Sequence, residues 1–493
     1  MGKEFSPFIP EYLKKNRIEK FIPEWIQGSE SLASSLSKSV FFEDRPLLLK
    51  GGNCIIPFKG IFPFDIKIQD GKIHSIGENL SDKEAFVLEL KGKLIAPGII
   101  DPHVHLGIFK DFDVEIVTET KSALLNGVTT LGLYIGGEEP YLKRLDDIIG
   151  KIEKGAFCDI FLHLVIFNQK QMEEIPIYYS RYGIKSFKAY MCGIPGLIPE
   201  VEDDFLIQLM ETVAGLGNDA VLNIHAENYR LVNMATKKLK LAKPLSYSLE
   251  EWERSHPGFA EAEAIQRASF LSMQSGARIY FVHLSCKESV DVAKELRRRH
   301  KNLYFETTSP YLTLDIRQDT DPLYKMVPPV RKKEDQDVLW NGLAENIIDS
   351  IGSDHTPMST DEKKTGLSLW EITPGYPAVG THLPSLLDGA WKHEFPITTL
   401  IEKMSASPAK IFGLYSQKGT LLPGTDADLV IIDPILEKVV TPRIAASRSD
   451  YCLHQGKKLR GWPVAVVKSG KILTPESFEQ VKTFLKGRYL RRS

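Results

Sequence analysis

Eight short apolar runs recur between about Lys93 and Leu414, and amphipathic stretches separate them. Such alternation is typical of repeated β-α units that build a parallel sheet. The stretches EVEDDFLIQLMETVAGLG and HPGFAEAEAIQRASFLSMQ space their apolar residues three and four apart, as helices on the outside of a barrel do. The predicted strands are KLIAPGIIDPHVH, GVTTLGLY, CDIFLHLVIF, KSFKAYM, AVLNIHA, RIYFVHLS, LYFETTSP and IIDSIGSDH. We therefore expect the α/β class, with a (β/α)8 barrel of the TIM type.

Two β-rich pieces lie at opposite ends of the chain. FDIKIQDGKIHSIG alternates apolar and polar residues around a hairpin-type Asp70-Gly71, and DADLVIIDP and WPVAVVKSGKIL follow the barrel span. These pieces can pair only if the segment between them closes back on itself, as a barrel does. The sequence thus predicts four parts: an N-terminal extension (1–44), a small β-sandwich domain (45–94 plus 415–475), the barrel (95–414) and a helical C-terminal tail (476–493).

Charge and cysteine content exclude several classes of protein. Lys plus Arg (62) nearly balance Asp plus Glu (64), so no overall basic field is present to hold nucleic acid or an anionic membrane. No apolar run reaches the roughly 20 residues that span a bilayer. Five scattered cysteines without a C-x-x-C pair indicate neither a disulfide framework nor a thiolate zinc site. We expect a cytoplasmic protein that binds a small molecule, with no nucleic-acid or membrane partner.

A pair of histidines ends the first predicted barrel strand. His103 and His105 are two residues apart, and the period of two aims both imidazoles at the same side of the strand, here the barrel interior. Two nitrogen ligands from one strand end make half of a metal site. Asp101 precedes them and is the natural carboxylate to orient an imidazole.

Three further candidate ligands end other predicted strands. His225 closes AVLNIHAE, His283 closes RIYFVHLS, and Asp354 lies in IGSDHTP after the eighth strand. All three fall on the carboxyl-terminal face, which carries the chemistry in barrel enzymes. Four histidines and a carboxylate on one rim predict a metal centre.

Lys188, in GIKSFKAYM, is an unusual residue for the interior of a barrel. A buried lysine must find an anion or lose its charge. A neutral amine can react with carbon dioxide, and the resulting carbamate could bridge two ions about 3.5 to 4 Å apart. The alternative is a salt-bridging or snorkelling lysine; the nearby histidines favour the bridge.

The chain resembles the cyclic amidohydrolases of the amidohydrolase superfamily, most closely the dihydropyrimidinase/hydantoinase family. The resemblance runs from about Leu47 to Leu473 through APGIIDPHVHL, GVTT, GIKSFKAYM, HAEN, VHLS, GSDHTP and KGTLLPGTDADLVIIDP. It implies one histidine pair for each of two metal ions, a CO2-derived carbamate on the bridging lysine, and an aspartate that also shuttles the proton. The six implied ligands are His103, His105, Lys188, His225, His283 and Asp354.

The positions that would contact substrate depart from the family pattern. The family has a tyrosine five residues after the bridging lysine, where its hydroxyl helps to bind the oxyanion, and this chain has Gly193 there. Tyr190 could substitute if its ring turns inward. The family serine that helps to hold the substrate amide is Val327 here, and the asparagine before the loop glycine is Pro374, just ahead of Gly375. We expect these five positions to surround the substrate.

Two features describe the ring that the pocket would accept. Dihydroorotase-like enzymes carry an arginine two residues after the second histidine, and this chain has Gly107 there, so a carboxylate held in that way is disfavoured. The loop LGIFKDF, residues 106–112, indicates a pocket that tolerates aromatic groups, although its phenylalanines could equally pack within the loop.

The resemblance implies a binuclear-metal hydrolase that opens the C–N bond of a cyclic amide, imide or ureide by a metal-bridging hydroxide. The ions would be zinc, and manganese, cobalt or iron suit the same ligands. Relatives imply a homo-oligomer, a tetramer or a dimer. Two alternatives stay open. One is an allantoinase-like or open-chain amide hydrolase with the same metal centre. The other is a non-enzymatic assembly protein like the collapsin response mediators, against which the retention of all six ligands argues.

Overall fold

The computed structural model describes residues 45–193, 198–364 and 368–492. The N-terminal extension predicted for residues 1–44 lies outside these ranges. Strands within them form three sheets, and the predicted α/β architecture of a barrel with a small β-sandwich is confirmed. None of the helices in the described ranges has the length and apolar character needed to cross a bilayer.

The β-sandwich consists of a four-stranded and a six-stranded sheet. Strands ahead of the barrel are β1 Leu47–Lys50, β2 Asn53–Ile56, β3 Gly60–Phe62, β4 Asp65–Gln69, β5 Lys72–Gly77, β6 Phe86–Glu89 and β7 Leu94–Pro97. Three late strands complete the sandwich: β16 Leu429–Val439, β17 Lys458–Lys468 and β18 Lys471–Leu473. The sheet orders are β5-β4-β1-β6 and β18-β17-β16-β7-β2-β3. Leu49 and Ile66 of the first sheet pack with Ile95 and Ile431 of the second, so one apolar core joins both chain ends.

The predicted Asp70-Gly71 hairpin turn is confirmed. Both residues have positive φ, +51° and +72°, and they connect the antiparallel strands β4 and β5. That conformation matches the right-handed twist of the flanking strands.

Eight parallel strands form the barrel in sequential order. They are β8 Ile99–His105, β9 Val128–Ile135, β10 Asp159–Val165, β11 Ser186–Tyr190, β12 Val221–His225, β13 Ile279–Phe281, β14 Leu303–Thr308 and β15 Ser350–Gly352. The barrel closes where Val104 pairs with His355, and the His105 N–H donates to the His355 carbonyl at 2.8 Å. Closure brings the first and eighth strand ends, which carry candidate ligands, next to each other.

Helices cover the outside of the barrel and connect its strands. The longer ones are Phe112–Leu125, Leu145–Gly155, Ile175–Tyr182, Asp203–Ala214, Tyr229–Ala242, Gly258–Ser275, Lys287–Arg297, Lys333–Ala344, His382–Lys392 and Ile397–Met404. Shorter helices are Gln169–Glu173, Leu249–Ser255, Ser309–Thr313, Thr360–Lys363, Ala406–Ile411, Pro442–Ala445 and Phe478–Val481. The 3-10 turns are Tyr141–Lys143, Pro322–Tyr324, Val379–Thr381 and Lys482–Phe484.

The first predicted strand, KLIAPGIIDPHVH, is two strands in different sheets. β7 belongs to the six-stranded sheet and β8 to the barrel, and Gly98 separates them. A Cβ at Gly98 would lie 2.2 Å from Thr129 Oγ1, so a glycine lets the chain pass from one sheet to the other against β9. The change of sheet falls after Pro97, three residues later than the predicted boundary.

The C-terminal tail predicted to be helical over 476–493 is helical only as far as Phe484. Beyond that residue the chain is extended and pairs with the start of β10 at the amino-terminal end of the barrel. Arg492 is buried there, where its Nη2 donates to Leu162 O at 2.9 Å and its Nη1 to Ser186 Oγ at 3.1 Å. Backbone pairing with an open strand end outweighs the helical tendency of a short basic segment.

A cluster of buried charges links the sandwich to the same end of the barrel. Asp159, at the start of β10, and Asp428 share Lys468, at 2.9 Å and 3.1 Å, and Lys418 reaches both of these carboxylates and Asp426. The three carboxylates are close enough to hold an ion together. Arg488 Nη2 also lies 2.5 Å from Asp426 Oδ2, so three cations already balance the three carboxylates, and we assign the cluster a structural role.

Candidate metal centre and substrate cavity

The histidine pair of β8 faces the aspartate that follows β15. His103 Nε2 and His105 Nε2 lie 3.2 Å and 3.3 Å from the same oxygen, Oδ1 of Asp354. The buried His103 Nε2 nonetheless has no hydrogen-bond partner among the described residues. Three donor atoms that approach one point, one of them without a hydrogen bond, fit a shared cation.

Two candidate ligands have strained backbones. Asp354 has φ +54° and His283 has φ +43°, a left-handed conformation that only a few per cent of non-glycine residues adopt, aspartate and histidine more often than most. Such conformations cost on the order of 1 to 3 kcal/mol each and concentrate at functional sites. Both residues come within two positions of a barrel strand's end, where the strain turns the side chain into the barrel mouth.

Asp354 is a carboxylate at neutral pH. Burial alone would raise its pKa, but the neighbouring His103 and His105 outweigh burial, and the pKa lies below its ordinary value. The hydroxyl of Tyr376 donates to Asp354 Oδ2 at 3.3 Å. The aspartate therefore has histidine nitrogens on one oxygen and a phenol on the other.

His225 and His283 form the second histidine pair. His225 Nδ1 and His283 Nε2 lie 2.9 Å apart, and His225 Nε2 lies 2.9 Å from Glu227 Oε2. Burial lowers the pKa of His283 well below its ordinary value, so this imidazole is neutral. Neutral imidazoles keep the lone pair that a metal ion needs.

Lys188 lies on β11 between the two histidine pairs and is fully buried. Its Nζ has no hydrogen-bond partner among the described residues, and it lies 4.5 Å and 4.9 Å from the ring centroids of Tyr134 and Tyr190. Burial lowers the pKa of Lys188 to about 7, against the opposing effect of the Asp354 and Glu306 carboxylates. An unpaired buried amine that is partly neutral at pH 7 fits a lysine that gains a carboxyl group.

Glu306, on β14, is the carboxylate that contacts the imidazole of His103. Its Oε1 lies 3.0 Å from His103 Nδ1, and both side chains are buried. The role expected of Asp101 was wrong: its Oδ1 accepts the backbone N–H groups of His103 and Ser353. A Cβ at Gly352 would lie 2.1 Å from Glu306 Oε1 and 2.7 Å from His103 Cβ, so glycine is required for this pair to meet.

The candidate metal ligands and most of the expected substrate positions line one cavity of about 530 Å³. Four of the five expected substrate positions line it, namely Tyr190, Val327, Pro374 and Gly375. All six predicted metal ligands line it as well: His103, His105, Lys188, His225, His283 and Asp354.

Gly193 is not among the residues that line this cavity in the described ranges. A Cβ there would lie 2.6 Å from Ile198 O and 2.7 Å from Glu200 N. Backbone thus occupies the space in which the family tyrosine would begin. Tyr376, in the segment after the helix Thr360–Lys363, lines the cavity and contacts Asp354 Oδ2.

Sequence reasoning missed Glu306, Tyr376 and Tyr134 as members of this site. Glu306 could have been recognised from the sequence, because a carboxylate in the strand LYFETTSP is as unusual in a barrel interior as Lys188. Tyr134 and Tyr376 could not have been recognised in this way, since aromatic residues are ordinary in strands and loops. Their positions depend on which strand ends and loops meet at the barrel mouth.

Known proteins match this chain over nearly its whole described length. The amidohydrolase family model matches residues 277–473. A D-hydantoinase of Geobacillus stearothermophilus is 32% identical over 446 residues, 86% of this chain and 92% of that protein. An L-hydantoinase of Paenarthrobacter aurescens is 30% identical over 452 residues, 87% of this chain and 97% of that protein. The crystal structure of dihydropyrimidinase from Brevibacillus agri superposes with a TM-score of 0.82 at 28% identity, covering 91% of this chain and 99% of that one.

Proposed function

The chain belongs to the amidohydrolase family, in its hydantoinase and dihydropyrimidinase group, and from this premise we propose that it opens the C–N bond of a cyclic amide, imide or ureide with water. One observation carries the proposal. Four histidines, an aspartate and an unpaired buried lysine line a single cavity at the carboxyl-terminal face of the barrel.

We propose that these side chains hold two divalent ions, in the first place zinc. His103 and His105, with Asp354, would hold one ion, and His225 with His283 the other. When bound, such ions activate water at neutral pH and polarise a carbonyl oxygen. Glu306 keeps the His103 ring in the orientation that leaves Nε2 free.

Lys188 would supply the bridge between the ions as a carbamate. The C–N bond forms when the neutral amine attacks carbon dioxide, and the amine proton leaves to solvent. Burial makes this step accessible near neutral pH, since a pKa of about 7 leaves much of the amine unprotonated. The product is a carboxylate on a long arm, and its nitrogen has one N–H left to satisfy where the neutral amine had two.

Asp354 is the proton carrier in this proposal. Its ionised carboxylate accepts a proton from the attacking water and delivers it to the leaving ring nitrogen. Tyr376 lines the cavity and donates its one hydroxyl hydrogen to Asp354; once Asp354 has taken up the proton, the phenol can donate instead to the developing oxyanion. The Tyr376 hydroxyl would then take the role of the tyrosine hydroxyl that the family has where this chain has Gly193.

We expect Tyr376→Phe to lower kcat by about a hundredfold with little change in metal content, because one oxyanion donor is lost. Steady-state kinetics and metal analysis measure both quantities. Tyr190→Phe is the matched control, since it removes a phenol from the same cavity. A loss confined to Tyr190→Phe would transfer the oxyanion role to Tyr190.

A substrate panel tests the proposed function. We expect the protein, purified with zinc or manganese and bicarbonate, to open hydantoins, dihydropyrimidines or cyclic imides, seen as loss of ring absorbance. Hydrolysis of allantoin or open-chain amides alone would favour the alternative hydrolases. Absence of hydrolysis in protein that holds two ions per chain would contradict the proposal and favour the non-enzymatic alternative.

We also propose a homo-oligomer, a dimer or tetramer, in the cytoplasm. Seven large apolar side chains are exposed on residues 234–273, which include most of the helices Tyr229–Ala242 and Gly258–Ser275. A concentration of exposed apolar residues is typical of subunit interfaces. The mass of the protein in solution tests this.

A further inference from the structure

Arg144 places a guanidinium in the wall of the substrate cavity, on the side formed by the loop after β9. It is the residue directly before the helix Leu145–Gly155. Its Nη2 donates to the carbonyl of Gly136, and its guanidinium carbon lies 4.7 Å from the ring centroid of Tyr141. The buried Nε has no hydrogen-bond partner among the described residues.

No carboxylate forms an ion pair with Arg144 within the described ranges. Asp147, which lines the cavity, pairs instead with Lys151 at 3.1 Å, and Lys151 also pairs with Asp113 at 3.2 Å. Glu138 lines the same wall but is exposed to solvent. Arg144 therefore presents a cation to the cavity with part of its donor capacity unused.

The backbone at Gly137 leaves room for the Arg144 guanidinium. A Cβ at Gly137 would lie 2.8 Å from Arg144 Nη2 and 3.1 Å from Nη1, and Gly137 has φ +123°. Only glycine adopts that conformation readily and leaves room for the guanidinium. An arginine that merely snorkelled to solvent would need neither the glycine turn nor the tyrosine ring behind it.

The cavity that Arg144 and the metal-ligand candidates share is lined largely by apolar side chains and is larger than a bare ring needs. Cavities of 300 to 1,000 Å³ enclose drug-sized ligands, and this one is about 530 Å³. Ile108, Phe109, Phe112 and Phe167 also line it. A ring bound at the metal centre therefore has room for a substituent along these apolar side chains.

We propose that Arg144 is an anion-binding subsite and that the preferred substrates are cyclic amides whose ring substituent ends in a carboxylate. The apolar part of the substituent packs on the phenylalanines, and its carboxylate pairs with the guanidinium. This inference rests on the proposed function for the ring-opening step, but the anion contact itself can be measured without turnover.

The test compares 5-(2-carboxyethyl)hydantoin with its near-isosteric carboxamide, 5-(2-carbamoylethyl)hydantoin. We expect the native enzyme to prefer the acid in kcat/KM by at least about tenfold, because a charge-assisted pair replaces a neutral contact. Arg144→Met should lower kcat/KM for the acid by about 10- to 100-fold, mainly through KM, and change the value for the carboxamide less than about threefold. Arg181→Met, on the exposed face of the helix Ile175–Tyr182, is the matched control and should change neither.

Equilibrium binding of both hydantoins to the zinc-loaded protein separates the two proposals. Tighter binding of the acid to native protein than to Arg144→Met, without ring opening, would support the subsite and contradict the proposed function. Two results together would overturn the subsite and leave the proposed function intact. The carboxamide ring would be opened normally, and the native protein and Arg144→Met would bind and turn over the acid equally well. Hydrolysis of the carboxamide by Arg144→Met, with an unchanged melting temperature, shows that the variant is folded.

Discussion

We expect Lys188→Ala to lower kcat for ring opening by at least about a thousandfold and to lower the metal content below two ions per chain. Loss of a residue that only orients a ligand costs about 10- to 100-fold in affinity or activity, and loss of a bridging ligand should cost more. Metal analysis and kinetics after identical reconstitution with zinc and bicarbonate measure both effects. Lys154→Ala, on the solvent side of the helix Leu145–Gly155, is the control and should retain full activity.

Short carboxylic acids provide an independent measurement on the same variant. If Lys188 acts as a carbamate, acetate or propionate can enter the space left by the side chain and restore part of the activity and of the metal content. Rescue by a primary amine instead would indicate that the ammonium group acts as such. Full activity of Lys188→Ala without any added acid would refute the bridging role.

We expect Asp354→Asn to retain most of its metal and to lose about 10²- to 10⁴-fold in kcat, the range that general acid-base groups contribute. The amide keeps an oxygen for the ion, but it cannot accept the proton of the attacking water. Metal analysis should therefore separate this variant from Lys188→Ala, which loses ions as well. Asp361→Asn, an exposed residue of the helix Thr360–Lys363, is the control.

The pH dependence of the native enzyme provides a second readout of Asp354. Because its pKa lies below the ordinary aspartate value, the carboxylate stays ionised through the neutral range, and protonation should reduce activity only under acidic conditions. Full turnover by Asp354→Asn would exclude the aspartate as the proton carrier.

Particular residues show how far the sequence could predict the site. The spacing of His103 and His105 was informative because the period of a strand is two, so that spacing alone aims both side chains at one face. His225, His283 and Asp354 could be placed on one rim because parallel strands in a barrel all end at the same face. The structure brings all of them, with Lys188, into one cavity.

Contacts between strands were harder to predict than positions along a strand. Asp101 was the nearest carboxylate in sequence, yet Glu306, two hundred and three positions from His103, contacts its imidazole. Glu306 lies on the seventh barrel strand and His103 on the first. They meet because barrel closure brings the first strand beside the eighth, and because Gly352, on the eighth strand between them, has no side chain. Tyr376 and Arg144 reach the cavity from loops, where no periodicity indicates direction.

The sequence by itself determined the barrel, the sandwich built from both chain ends, and the set of residues that could bind metal, because these depend on hydrophobic period and on the order of strands. Only the tertiary structure decided which carboxylate orients which histidine, that Gly193 has no room for a side chain, and that a guanidinium without a carboxylate partner in the described ranges lines the cavity. The physical reason is that periodicity fixes the face on which a side chain lies, whereas its partners come from the packing of segments distant in the chain.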